Sequence, residues 1–214
     1  MNKFILAIFL LTFTLSASAQ QSNTKANAYE SRYLAGAVPT VNGYVQFSKT
    51  YEVKGKSKSS IFNALRHYTE ENVVNGPDHL PQARMTESDS INGTLAASMD
   101  EYLYFKRTKW QIHRVHFYYQ LVFEVKDGGY SVTMRNLHYK YDPEANPTQV
   151  GGDYRAENWI TDEAALTANG KKLARISGKF RKATIDRKDA IFLDAARAAG
   201  VKFKKKVVEV EETE

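Results

Sequence analysis

Residues His113–Lys126 carry the longest clean alternation in the chain. Val115, Phe117, Tyr119, Leu121, Phe123 and Val125 fall on one side, and His116, Tyr118, Gln120 and Glu124 on the other. Side chains of a strand leave opposite faces in turn, so this is a long half-buried β-strand. Asp127-Gly128 follows directly, and an Asp-Gly pair between alternating runs is a two-residue hairpin signal because glycine accepts positive φ. A long strand that turns back on itself commits the fold to an antiparallel sheet with one face on a core. The return strand begins with Tyr130, Val132 and Met134 inward, then changes phase to Leu137, Tyr139 and Tyr141. One inserted residue does this, so a β-bulge is predicted near Arg135-Asn136.

The flanking segments fill in a two-layer domain. Val45, Phe47, Tyr51 and Val53 alternate with polar residues, and Lys49 is the one misfit on the apolar side. Lys54-Gly55-Lys56 makes a turn. Ser57 then caps a helix whose apolar face is Ile61, Phe62 and Leu65 with Thr69 or Val73, ended by Asn75-Gly76-Pro77-Asp78. Separate strands are predicted over Ala83–Glu87, Gly93–Ser98 and Glu101–Arg107. After a Pro/Gly/Asn-rich stretch, Asp142–Arg155, Thr161-Asp162-Glu163 starts a helix with its acids at the positive end of the dipole. Leu173, Ile176 and Phe180 form a second helical face. A last helix opens at Asp186 and Asp189, carries Ile191, Phe192, Ala195, Ala196 and Ala199, and stops at Gly200. The expected fold is α+β: a curved antiparallel sheet of five to six strands, one helix after the first strand, and C-terminal helices on the concave face.

The start of the chain carries an address. Met1–Lys3 is a short basic start, Phe4–Leu15 is almost entirely apolar, and Ser16-Ala17-Ser18-Ala19 precedes Gln20. This is the build of a secretory signal peptide over 1–19, cut between Ala19 and Gln20. The apolar run is shorter than the roughly 20 residues of a membrane-spanning helix. Residues 20–37 read as a flexible mature N-terminus, 38–200 as a single α+β domain, and 201–214 as a charged tail. Cysteine is absent, which removes disulfides, thiolate metal sites and thiol nucleophiles. It also removes the cysteine on which a bacterial lipid anchor is built. The expectation is an exported protein, periplasmic or extracellular, free rather than lipid-anchored. Its net charge of +6 falls by one when Lys3 leaves with the signal, and a modest basic excess suits acidic partners or simply a soluble surface.

Several stretches resemble an exported Bacteroidetes family of unknown function with a fold like the TATA-binding protein. They are Val38-Pro39 with Gly43, Val45 and Phe47; Gly55-Lys56-Ser57-Lys58 before Ile61-Phe62; Asn136–Tyr141; Ala156–Glu163; and Lys179–Asp186. The resemblance implies a TBP-like (or helix-grip-like) sheet–helix domain and a bacterial exported setting, with no activity attached. It does not imply nucleic-acid binding. DNA-binding saddles use an exposed sheet with intercalating side chains, whereas here one sheet face covers helices and the leader takes the protein away from the chromosome.

No residue constellation spells a reaction. His113 and His116 form a His-x-x-His pair, but three residues apart on a strand they leave opposite faces. Asp142, Glu144, Asn146 and Asp153 match calcium-loop positions, yet Pro147 stands where the sharp turn needs glycine. Glu157 and Asp162 beside Trp159 are the nearest carboxylate pair, and His67, His79 and His138 have no partner at telling spacing. No Gly-x-Ser-x-Gly elbow, His-Glu-x-x-His or phosphate loop occurs. Metal and cofactor are therefore expected to be absent, and catalysis is not indicated.

Two binding surfaces remain. Lys171, Lys172, Arg175, Lys179, Arg181, Lys182, Arg187 and Lys188 crowd one region; within it Lys172, Arg175, Lys179, Arg181 and Lys182 are the candidate anionic-ligand surface. The groove between sheet and last helix is the candidate for an apolar small ligand. The leading function is a non-enzymatic exported module that binds a ligand or partner, such as an anionic envelope component. An envelope enzyme using Glu157, Asp162 or His138, and a structural part of an envelope complex, are the rivals.

Overall fold

The computed structural model of the protein describes residues 31–142 and 152–203. The leader with its Ala19–Gln20 junction, and residues 204–214, lie outside that range. In chain order, β1 (Thr40–Val41) and β2 (Tyr44–Val45) make a small hairpin, and β3 (Phe47–Glu52) leads into α1 (Lys58–Tyr68). The strands β4 (Arg84–Asp89), β5 (Thr94–Arg107), β6 (Ile112–Lys126) and β7 (Gly129–Tyr141) follow. Beyond residues 143–151 come β8 (Asp153–Arg155), a 3-10 turn at Ala156–Asn158, the one-turn helix α2 (Asp162–Ala165) and the long helix α3 (Ser177–Ala199).

The six-stranded sheet is antiparallel throughout, with order β3-β7-β6-β5-β4 and β8 added to β7. This is the expected α+β arrangement. The β6–β7 turn is Asp127-Gly128, with Gly128 at φ 73° and Lys126 paired to Gly129. Asp127 has a second duty: its Oδ1 accepts the Lys58 N–H at 2.7 Å, at the start of α1. Ser57 caps α1 as expected, accepting the Ser60 N–H at 3.3 Å. The helix continues through a π-helical turn at Thr69–Val74. The wider turn brings both Thr69 and Val73 into the core, where regular helical spacing offered one or the other.

The phase change in β7 is a bulge. Tyr118 pairs with His138 but Gln120 pairs with Arg135, and Asn136 takes φ 57°. Both halves of β7 thereby keep their apolar residues on the inner face, where Tyr130, Val132, Met134, Leu137 and Tyr139 are buried with the alternating set of β6.

Three sequence expectations need correction. Gly93–Ser98 and Glu101–Arg107 are one strand, β5. Adjacent Asp100 and Glu101 suggest a break, but Glu101 is buried on the inner face and its charge is met there. The basic–apolar stretch from Leu173 to Ala199 is not two helices: α3 runs unbroken for 23 residues from Ser177, with Asp186 and Asp189 in its interior. Leu173 instead forms a β-bridge with Leu166, and Ile176 is exposed. Finally, packed structure begins before Val38, since Tyr33 is buried in the core.

Polar clamps inside the core hold these layers together. Arg187 of α3 gives Glu101 of β5 two hydrogen bonds, 2.8 and 2.6 Å, and the Tyr119 hydroxyl donates to the same carboxylate at 3.1 Å. Arg181, fully buried on α3, donates to the carbonyls of Tyr33 (2.6 Å), Leu34 (2.6 Å) and Ile160 (2.8 Å) and to Asp162 Oδ1 (2.7 Å).

Burial also marks the phenols. Desolvation pushes the ionisation of Tyr68, Tyr119, Tyr130 and Tyr139 well above the usual tyrosine range. A folded-state pKa raised in this way contributes stability that is present below about pH 10 and is lost as pH rises beyond it. Titration followed by phenolate absorbance should show these four still protonated near pH 11 while exposed tyrosines ionise. Their release should coincide with loss of the far-ultraviolet circular dichroism signal. Full ionisation of every tyrosine in a still-folded protein would contradict the packing.

Candidate functional site

A concavity of about 490 Å³ lies between the free edge of β3 and helix α3. Its apolar walls are Phe47 and Tyr51 from β3 and Phe192 and Leu193 from α3, with Phe203 at one end. The β3 alternation puts Phe47 and Tyr51 inward, and Lys49 between them stays exposed with its ammonium 4.9 Å from the Tyr51 ring centre. From the helix, Lys188 lies over the Phe47 ring at 5.3 Å and the Phe192 ring at 5.9 Å, and contacts Asp189. Strand and helix thus offer an apolar slot with ammonium groups on both walls. This is the sheet–helix groove named from the sequence, but it opens at the sheet edge. The middle of the sheet–helix interface is filled by Phe117, Tyr119, Tyr139 and Phe180.

A smaller cleft of about 290 Å³ sits at the β7 bulge, lined by Tyr44, Asn136, Leu137, His138, Asp153, Arg155 and Glu157. Two of the rival enzyme's residues, His138 and Glu157, do meet here. Glu157, however, accepts the Val45 N–H at 2.8 Å, which ties the 3-10 turn to β2. Asp162 lies elsewhere, accepting from Arg181 and from the Gly36 N–H at 2.8 Å. Asp162 opens α2 as expected, with Glu163 in the same first turn, and its carboxylate also ties the helix start to Gly36 and Arg181. His138 stacks flat on Tyr118, with ring centres 4.5 Å apart at 4°.

The outer sheet face around that stack is rich in aromatic and charged groups. His116 lies edge-on to Tyr102 at 5.3 Å, and Arg114 lies 3.7 Å over the Tyr102 ring while pairing with Asp142. Asp100 sits beneath them at 5% exposure; its Oδ1 has no hydrogen-bond partner among the described residues, with His116 Nδ1 at 3.5 Å. Desolvation raises its carboxyl above the usual range, partly offset by His116, His138 and Lys140. His113 is on the other face, 5.1 Å from Phe105, so the His-x-x-His pair diverges. Among the described residues, no three His, Asp or Glu side chains come together as a metal site. Of the calcium-loop pattern, Glu144, Asn146 and Pro147 lie outside the described residues, and Asp142 is engaged by Arg114.

The basic run does not form one face. Lys171, Lys172 and Arg175 are exposed on the connection before α3, and Lys179 is exposed on its first turn. Lys182 is bound to Asp186 at 2.6 Å and to the Tyr33 hydroxyl at 3.2 Å. Arg181 belongs to no anionic-ligand surface, because it is fully buried and its guanidinium donates to four internal acceptors. The helical period puts it on the core side of α3, where the sequence shows only another cation. The β1–β2 hairpin, which places Tyr44 at the bulge cleft, was signalled by Asn42-Gly43: both have positive φ, 52° and 82°, as a type I′ turn requires.

Comparison with known proteins bears on the fold. The chain matches the family described as "Domain of unknown function (DUF4468) with TBP-like fold" over residues 47–140. It is similar to the crystal structure of a DUF4468 family protein from Bacteroides ovatus, at 31% identity and a TM-score of 0.71, covering 80% of this chain and 95% of that one. It is also similar to a TBP-like protein from Parabacteroides distasonis, at 22% identity and a TM-score of 0.60, covering 77% of this chain and 99% of that one. No curated protein matches the sequence. The matched family segment runs from the first residue of β3 into the last turn of β7 pairing, and the Bacteroides relative is covered almost end to end. The chain belongs to the DUF4468 family, and its sheet and helices are that family's TBP-like fold.

Proposed function

We propose that the protein is a non-enzymatic, exported binding module whose ligand is a small amphiphilic anion lying in the groove between β3 and α3. The observation that carries this reading is the pairing of apolar walls, Phe47, Tyr51, Phe192 and Leu193, with the ammonium groups of Lys49 and Lys188 in one slot of about 490 Å³. An apolar body would be removed from water along those walls, and its acid group would lie near the lysines. Export is supported by the leader-like start of the sequence.

The test uses 1-anilinonaphthalene-8-sulfonate, a fluorescent amphiphilic anion, with a medium-chain fatty acid as competitor. The wild-type protein should bind the dye saturably and release it to the fatty acid. Leu193, 37% exposed on the groove wall, can be changed without disturbing the core. Leu193→Glu puts a carboxylate on the apolar path and should weaken dye binding about tenfold, the loss of one favourable apolar contact. Equal binding by both proteins, with the fold intact by circular dichroism, would sink the proposal.

A further inference from the structure

The β5–β6 hairpin ends in a tip that the groove does not use. Trp110 is 89% exposed and Ile112 51% exposed, the tip's two large apolar side chains. Around them are Lys106, Arg107 and Lys109, and no acidic residue occurs between Glu101 and Glu124. The tip is built to stand out. Lys106 Nζ donates to Gln111 Oε1 at 2.7 Å, and Thr108 and Gln111 close the turn by a 2.9 Å backbone hydrogen bond. Arg107 lies over the Tyr104 ring at 4.5 Å and is met by Asp78 at 3.0 Å. Lys109 lies beside the indole at 5.6 Å.

Helix α3 extends this surface. Phe105, at the base of the tip, packs on Phe180 at 4.5 Å, which sets the first turn of α3 beside the hairpin. That turn carries exposed Lys179 and, just before it, Ile176 at 58% exposure. The His113 ring beside Ile112 has its pKa lowered by burial and then by Lys179, so the lysine's charge is felt at the hairpin. One end of the molecule therefore presents an exposed indole and two exposed isoleucines within a field of cations.

We infer that this end docks on an anionic lipid bilayer, with Trp110, Ile112 and Ile176 entering the headgroup boundary and Lys106, Lys109 and Lys179 facing the acidic headgroups. Tryptophan suits that depth because its ring is apolar while its N–H stays wet. Basic side chains near an anionic leaflet add attraction that falls off within a Debye length. A protein partner would be expected to meet an apolar patch with packed, buried edges. Here the apolar side chains stand singly among charges, which suits a fluid surface.

The test is sedimentation of the purified protein with vesicles of equal parts phosphatidylglycerol and phosphatidylcholine. Binding should be salt-sensitive and should be lost on phosphatidylcholine alone. Tryptophan emission should shift to the blue on binding, and Trp110→Phe should remove that shift. Trp110→Ser should weaken partitioning about tenfold, and Lys109→Gln and Lys179→Gln roughly fivefold each. Leu193→Glu should leave sedimentation unchanged, which separates the tip from the groove. The inference is overturned if anionic vesicles do not bring down the wild type. It is equally overturned if Trp110→Ser sediments as well as wild type, or if only Leu193→Glu abolishes binding.

Discussion

Arg181→Ala should lower folding stability by about 3–5 kcal/mol, the usual consequence of removing one partner from a buried charged network. The arginine is enclosed, and its guanidinium makes four hydrogen bonds, to three backbone carbonyls and one carboxylate. Its removal leaves those acceptors without donors and opens a void in the helix–sheet seam. Arg181→Lys should recover only part of the loss, because one ammonium cannot reproduce a planar fork reaching Tyr33, Leu34, Ile160 and Asp162 together. Urea denaturation measures the effect. Limited proteolysis adds a positional readout: in the alanine variant cleavage should begin near residues 31–37, where the arginine holds the carbonyls of Tyr33 and Leu34. A loss below about 1 kcal/mol would show that these bonds are replaceable by water.

The second large effect belongs to Glu101 and Arg187. Glu101→Ala should also cost about 3–5 kcal/mol, since it strands a largely buried guanidinium and removes the acceptor of the Tyr119 hydroxyl. The double variant Glu101→Leu with Arg187→Met should be markedly more stable than either single change. Replacing both charges by apolar groups removes the desolvation penalty along with the attraction. A thermodynamic cycle over the four proteins gives the coupling. Strict additivity would mean that the pair seen here does not interact energetically.

These two arginines also show where sequence reading reaches its limit. The sheet was legible because alternation and an Asp-Gly turn are local signals, and the bulge because a phase change in the apolar positions can have few other causes. The helix capped by Ser57 and the stop at Gly200, with φ 87°, were legible for the same reason. What could not be read was the identity of a charge's partner. Position along the sequence does not separate Arg181 and Arg187 from Lys171 or Lys179, yet Arg181 is a core group, Arg187 is half-buried on Glu101, and the two lysines are solvated. The difference is set by long-range partners, Tyr33 and Ile160 for one and Glu101 for the other. The same blindness split β5, because Asp100-Glu101 looks like a surface turn until an arginine from the far end of the chain arrives over it. Of the candidate sites, the sheet–helix groove was anticipated in kind but not in place. The hairpin tip was missed, although a Lys-Arg-x-Lys-Trp run at a strand end was in plain view.

Lys49 began as the single break in the alternation of β3, and it stands on an edge strand, since among the described residues β3 has a neighbour only on its β7 side. An open edge is a template: its unpaired N–H and C=O groups can accept a strand from another molecule and propagate aggregation. An exposed lysine at mid-strand opposes that route, because a second strand closing over β3 would have to strip water from the ammonium. The misfit thus acts against strand addition at this edge while leaving the groove uncovered. It also bears on the ligand proposed for the groove: a molecule lying there would have to meet a positive charge, which an added backbone strand cannot do.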